Sequence, residues 1–185
     1  LAAAGYVEQS VARPADRLTY RIEKYPIATA AWEPTDASVR IVGKVGAPVL
    51  EFRTNRNMLA TNSFSTPAGG VDAELVAVAG TTPAALNAAL DAANVSGKIV
   101  MVDGRVGQLF TEAVVKRGAI GVMGYSMPAY TQPEKNTRSI QFASIPYDSA
   151  RKAWGIVLSF DARRQLLARA CQFRRRAVRH ADQLE

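Results

Sequence analysis

The stretch that decides the fold is GKIVMVDGRVGQLFTEAVVKRGAIGVMGYS, residues 97–126. It begins with a continuous apolar run at residues 99–102, which is typical of a strand covered on both faces. Apolar residues then recur at helical spacing, at Leu109, Phe110, Ala113 and Val114. Gly118 lies where that helix would end, and AIGVMGY indicates a second strand. Two strands joined by a helix are most often parallel with a right-handed crossover, so we expect this arrangement here.

A glycine turn between a strand and a helix can also bind phosphate. A P-loop needs a lysine followed by Ser or Thr, and a dinucleotide-binding turn needs three glycines at fixed spacing. The turn DGRVGQ supplies only Gly104 and Gly107. A tight turn and a close approach of helix and strand account for both glycines. The sequence therefore predicts a structural turn and no nucleotide site.

Outside this stretch, the sequence predicts several short strands and two more helices. Thr82 is placed as an N-cap, Pro83 occupies the first helical position, and that helix should end near Asn94. The segment SFDARRQLLARA, residues 159–170, predicts an amphipathic helix. Strands are expected at residues 18–23, 39–42, 49–52, 73–79, 139–147 and 154–159. The fold class is therefore a mixed, β-rich α/β fold.

Composition bounds the class of protein further. A chain of 185 residues can form one domain with a sizeable core. Its single cysteine, Cys171, excludes an internal disulfide, and the sequence has no run of about 20 apolar residues, so no membrane partner is expected. The first residues, LAAAG, show no signal-peptide pattern, which favours the cytoplasm without assigning a compartment. We expect the chain to be a piece of a longer protein.

The net charge of +7 is distributed unevenly. Residues 160–185 contain seven arginines and three acidic residues, a balance of +4 that leaves +3 for the rest. A nucleic-acid-binding module acting through this arginine-rich tail stays open as an alternative. The tail has only one aromatic residue, Phe173, and no groove-reading motif precedes it. A solvated helix end is the simpler interpretation, and nucleic acid is not the expected partner.

No catalytic or metal-binding constellation can be assembled from these residues. GYSMP resembles the serine elbow of hydrolases, but Pro128 replaces the second glycine. The only histidine, His180, lies nine residues from Cys171, which is beyond hydrogen-bond reach along one helix. One His and one Cys cannot build a zinc site, and the carboxylates are scattered. We therefore predict no enzyme activity, metal or cofactor; a hydrolase with an unrecognised site remains the other alternative.

Taken in order, these segments resemble the protease-associated (PA) domain, most closely the version in bacterial zinc aminopeptidases of the transferrin-receptor and glutamate-carboxypeptidase kind. The resemblance covers about residues 73–170 and uses four segments in order: AELVAVA, VSGKIVMVDGRVGQLFTEAVVKRGAIGVMGYS, IQFASIPYD and WGIVLSFDARRQLLARA. The sequence departs from the family pattern after Cys171. None of the zinc ligands or the catalytic glutamate of these peptidases has a matching position.

The resemblance implies a PA-type β-sandwich or barrel with flanking helices. It divides the chain into a linking segment at residues 1–72 packed on the PA domain, a PA core at 73–171 and a basic tail at 172–185. Such domains are generally non-catalytic, and they shape substrate access or mediate protein contacts. The implied partners are the catalytic peptidase domain of the parent chain and its peptide or protein substrate.

The loop MPAYTQPEKNTR, residues 127–138, is the expected contact surface. It follows the second strand directly, so the sheet should fix its base and leave its tip free. Prolines reduce the entropy lost on binding, and tyrosine is a typical interface anchor. An ordinary solvent-exposed connection is the alternative interpretation. The predicted contact residues are Tyr125, Met127, Tyr130, Glu134, Lys135 and Asn136.

Overall fold

The computed structural model describes residues 1–26, 31–80 and 82–181, with side chains described as far as Ala170. The chain divides into two compact units, Leu1–Ala31 and Trp32–Glu185. In the first unit, a 3₁₀ turn at Ala2–Ala4 ends at Gly5, which has a φ of 82°. Two strands, β1 (Val7–Glu8) and β2 (Thr19–Tyr20), pair in parallel. The strand predicted at 18–23 is thus only two residues long.

The second unit contains an antiparallel pair and a parallel sheet. The pair consists of β3 (Ser38–Val39) and β4 (Leu50–Glu51). The strand order in the sheet is β5-β6-β7-β8, and each pair of adjacent strands is parallel. Its strands are β5 (Leu75–Val78), β6 (Ile99–Asp103), β7 (Gly121–Tyr125) and β8 (Trp154–Val157). The parallel pairing predicted from the opening stretch is confirmed.

Helix α1 (Pro83–Ala93) joins β5 to β6 and begins as the sequence predicts. The hydroxyl of Thr82 accepts a hydrogen bond from the Ala85 N–H at 3.2 Å, and Pro83 occupies the first turn, where it loses no helical bond. Asn94 ends the helix in the left-handed conformation, with φ 45°. Both predicted ends of this helix are confirmed.

The connection from β6 to β7 departs from a regular α-helix. It begins as α2 (Val106–Leu109) and continues as a π-helix over Phe110–Val115. The four predicted core residues of this connection are fully buried: Leu109, Phe110, Ala113 and Val114. Gly118 follows at φ 73°, and its N–H donates to the Val114 carbonyl at 3.1 Å. The predicted burial is confirmed, and the helix type differs.

The register assigns the two faces of the sheet. Strand alternation places Gly124 and Gly155 on one face, and α2 covers them. A Cβ added at either glycine would lie 3.0 Å from an atom of Val106. The opposite face carries Tyr125 and meets helix α3 (Phe160–Ala181). The sheet is therefore covered on both faces, which explains why its central strands are apolar throughout.

The prediction of a strand at residues 139–147 is wrong. These residues form one isolated bridge, between Ser144 and Thr61, and otherwise no ladder. Ile140 and Ile145 are the buried apolar side chains of the segment, and Phe142 between them is 70% exposed. A spacing of five does not fit the two-residue period of a strand, so the segment turns to bury both isoleucines.

The fold is thus mixed α/β, with parallel and antiparallel pairing and with helices on the sheet. The backbone of helix α3 continues past residue 172, where the basic tail was predicted to begin. The side chains of the basic tail, residues 172–185, lie outside the described part of the structure. Within the described part of the chain, none of the helices combines the length and apolar character that crossing a membrane requires.

Candidate protein-contact site

The base of the predicted loop is an aromatic and charged cluster at the carboxyl ends of β6 and β7. Tyr125 is the last residue of β7 and lies opposite Asp103, the last residue of β6. Its half-buried ring packs edge-on against Phe160, with centroids 6.3 Å apart. The guanidinium carbon of Arg163 lies 5.2 Å from the Tyr125 ring centre. Tyr125 is therefore held between the sheet and the first turn of α3.

Arg163 also binds Asp103 through two nitrogens. Its Nε donates to Asp103 Oδ1 at 2.5 Å, and its Nη2 donates to Asp103 Oδ2. This paired hydrogen bonding is the largest cause that raises the pKa of Arg163 above its ordinary value. Because the ion pair is partly solvated, we expect its main effect to be the fixed orientation of the guanidinium over Tyr125.

The environment of Tyr125 raises the pKa of its hydroxyl above the ordinary value of 10. Burial is the largest cause that raises the pKa of Tyr125, and the charge of Arg163 partly opposes it. The negative charges of Glu134 and Asp103 raise this pKa further. Tyr125 is therefore an uncharged hydrogen-bonding group near neutral pH.

The loop is fixed by hydrogen bonds at both ends of its turn. The Thr131 hydroxyl donates to the Pro128 carbonyl at 2.7 Å, and the Asn136 side-chain amide donates to the Thr131 carbonyl at 2.8 Å. The Asp161 N–H donates to the Thr137 carbonyl at 3.0 Å, which ties the loop to α3. The loop backbone is thus held at its tip as well as its base.

The structure separates the predicted contact residues into two groups. Tyr125 and Met127 are half-buried at the base of the loop, whereas Tyr130, Glu134, Lys135 and Asn136 are exposed. Tyr130 is 81% exposed. Among the described residues, the side chains of Tyr130, Glu134 and Lys135 make no hydrogen bond, ion pair or ring contact. These three are available to a partner, and Asn136 instead stabilises the loop.

Sequence reasoning missed Asp103, Phe160 and Arg163 as neighbours of Tyr125. One signal could have found the first: Asp103 and Tyr125 both end strands that were expected to be parallel, and such ends meet at one edge of a sheet. Arg163 lies 60 residues from Asp103 in sequence, and no local pattern joins the two.

The two glycines of the β6–α2 turn have different roles. A Cβ at Gly107 would lie 2.8 Å from the Ser144 carbonyl oxygen, so this position requires a close backbone approach. Gly104 has an ordinary contact at 3.5 Å and no positive φ. Gly107 therefore permits a close backbone approach, but to the segment around Ser144 and not to a strand of the parallel sheet as expected. Among the described residues, no group of three or more His, Cys, Asp or Glu side chains could hold a metal ion.

Comparison of the chain with protein-family models, with curated proteins and with solved structures gave no significant match.

Proposed function

We propose that the chain is a non-catalytic PA-type accessory domain of a zinc-dependent aminopeptidase. In this role it shapes substrate access or mediates contacts between the catalytic peptidase domain and a peptide or protein substrate. The proposal includes the PA-type sandwich or barrel, of which the parallel sheet would be one part. It assigns the chemistry to another domain of the parent protein.

The placement of the PA-like segments supports this proposal. The long segment forms β6, α2, the π-helix and β7, and the closing segment forms β8 and the start of α3. At the outer edge of β8, the Ala60 N–H donates to the Gly155 carbonyl at 3.0 Å. The Thr61 N–H then donates to the Ala143 carbonyl at 3.0 Å, and the Thr61 carbonyl accepts the Ile145 N–H at 3.1 Å. Hydrogen bonding therefore continues beyond the edge of β8, and this extension supports the proposed sandwich or barrel.

One observation carries the proposed role: the loop 127–138 presents unpaired side chains from a fixed backbone. Tyr130 is highly exposed, and its neighbours Thr131 and Asn136 are hydrogen-bonded within the loop. A fixed loop loses little conformational entropy on binding, and an exposed tyrosine can bury a large apolar area. The loop is therefore suited to a protein or peptide contact.

The test is a tyrosine truncation in the full-length parent protein. Tyr130→Ala should change KM or the selectivity across a panel of peptide substrates, while the melting temperature of this domain stays nearly unchanged. Phe142→Ala is the matched control, because Phe142 is 70% exposed and lies outside the loop. Unchanged kinetics for both variants, or equal changes for both, would reject the loop as the contact surface.

A separate measurement tests the non-catalytic assignment. The purified domain should retain no stoichiometric zinc through dialysis and should cleave no aminoacyl chromogenic substrate. Zinc at one per chain, or activity that survives removal of metal, would support the alternative of a hydrolase with its own site.

A further inference from the structure

A cleft of about 220 Å³ lies in the second unit, between the segment 32–40 and the sheet. Its apolar floor comes from Ile99, Met123 and Ile156, which share one face of the sheet. Drug-sized ligands occupy pockets of roughly 300–1,000 Å³. This smaller cleft therefore suits one side chain of a larger ligand and is too small for a complete cofactor.

Both tryptophans of the chain line this cleft: Trp32 and Trp154. The Trp32 indole N–H donates to the Ser63 carbonyl at 2.9 Å, which fixes the ring. The Trp154 ring packs over Gly121, where an added Cβ would lie 2.5 Å from ring atoms. Phe64 adds a third aromatic side chain to the lining. The walls thus offer aromatic surfaces whose positions are set before a ligand arrives.

Two carboxylates line the same cleft, Glu33 and Asp36. Neither forms an ion pair with any residue in the described ranges, and the side chain of Asp36 bonds only to the adjacent Ala37 N–H, at 2.9 Å. Arg40 also lines the cleft, and its guanidinium donates to the Gly46 carbonyl at 3.3 Å. Two carboxylates against this one guanidinium leave the cleft with a net negative charge, in a chain whose net charge is +7.

We propose that the cleft binds an arginine side chain of a peptide. A guanidinium is planar and weakly hydrated, and it stacks on aromatic faces while it pairs with carboxylates. The tryptophans would contact its flat surface and its aliphatic stem, and Glu33 and Asp36 would neutralise its charge. This site is separate from the loop at 127–138, and the proposal does not depend on the function proposed above.

The test uses the intrinsic fluorescence of the two tryptophans, both of which report on the cleft. The probe is the peptide Ac-Gly-Arg-Gly-NH₂, and its control is the same peptide with citrulline, which has nearly the same shape without the charge. The arginine peptide should change the fluorescence saturably and should shift the tryptophan indole N–H signals in NMR spectra. The citrulline peptide should bind at least about tenfold more weakly, because it lacks both cation–π attraction and ion pairing.

Charge variants locate the binding site. The double variant Glu33→Gln, Asp36→Asn should weaken arginine-peptide binding by about the same factor, whereas Glu51→Gln should leave it unchanged. Glu51 is a suitable control because it lies in β4, outside both the cleft and the loop 127–138, and has no ion pair among the described residues. If the double variant does not fold, the salt dependence of binding to the unmodified protein replaces it, and affinity should fall as salt rises.

Three results would overturn the proposal. One is the absence of both a fluorescence change and an indole shift at millimolar peptide. Another is equal affinity for the arginine and citrulline peptides. The third is an equal loss of binding in the Glu51→Gln variant, which would indicate attraction to the whole surface.

Discussion

Gly124→Ala should destabilise the fold, although it adds only one methyl group. A Cβ at Gly124 would lie 2.8 Å from the Gly104 carbonyl oxygen, 2.9 Å from the Val106 nitrogen and 3.0 Å from its Cα. All three are backbone atoms, so relief requires movement of the turn into α2 relative to β7. Overpacking of this kind costs about 1–3 kcal/mol. For a chain of this length, about 2–4 °C is lost per kcal/mol, so the melting temperature should fall by about 2–12 °C.

Gly104→Ala is the matched control, because it adds the same methyl group in the same turn. Its Cβ would meet only the Val102 side chain, at 3.5 Å, and Gly104 has no positive φ. A glycine replaced where alanine is tolerated can gain about 0.4–1 kcal/mol through the unfolded state. Calorimetry or thermal unfolding followed by circular dichroism should therefore rank the two variants on opposite sides of the unmodified protein.

A melting temperature for Gly124→Ala equal to that of the unmodified protein would contradict the close approach of α2 to β7. The contradiction would extend to the site, since Gly124 precedes Tyr125 and its carbonyl accepts the Leu158 N–H at 2.8 Å. A variant that is destabilised within the predicted range supports both the helix position and the placement of the loop base.

Three further predictions concern the core, an ion pair and the tail. Phe110→Ala should lower the free energy of unfolding by about 3–5 kcal/mol, because the Phe110 ring is fully buried. An unchanged free energy in urea denaturation would show that the position assigned to this helix is wrong. The hydrogen bond from Lys116 is the largest cause that lowers the pKa of Glu112 below its ordinary value of 4.5. That contribution to stability is complete above pH 4.5 and is lost as the pH falls through the lower folded-state value. Below pH 4.5, the free energy of unfolding of the Glu112→Gln variant should therefore depend less on pH than that of the unmodified protein. Parallel plots of unfolding free energy against pH for the two proteins would exclude the interaction. Nucleic-acid binding through the seven arginines of residues 160–185 should be non-specific and should fall steeply with salt; sequence-selective binding at high salt would favour the nucleic-acid module.

Local signals explain which parts of the fold could be predicted. The start of α1 was predictable because the Thr82 hydroxyl bonds to its own helix and the fixed φ of Pro83 suits the first turn, and its end was predictable because Asn94 tolerates the left-handed conformation. Burial of Phe110 was also predictable, but the π-helix was not, because α and π spacings both place the same apolar residues toward the sheet. The segment 139–147 has the composition of a strand, and its two buried isoleucines instead follow the shape of the neighbouring core.

The candidate site shows the same division. The loop 127–138 was predictable from its prolines and polar residues, because turn chemistry is local. The neighbours of Tyr125 were not, because the pairing of Asp103 with Arg163 depends on α3 crossing the sheet. The cleft of Trp32 and Trp154 likewise joins residues 122 positions apart.

The sequence by itself determined the strand–helix–strand unit, the ends of α1 and the apolar residues that become the core. Each follows from periodicity and from hydrogen bonds between residues a few positions apart. Only the tertiary structure decided which charges are paired and which remain available. Arg163 is bonded to Asp103, whereas Glu33 and Asp36 have no cationic partner among the described residues. That difference arises because ion pairing depends on distance in space, which the parallel register and the helix crossings set.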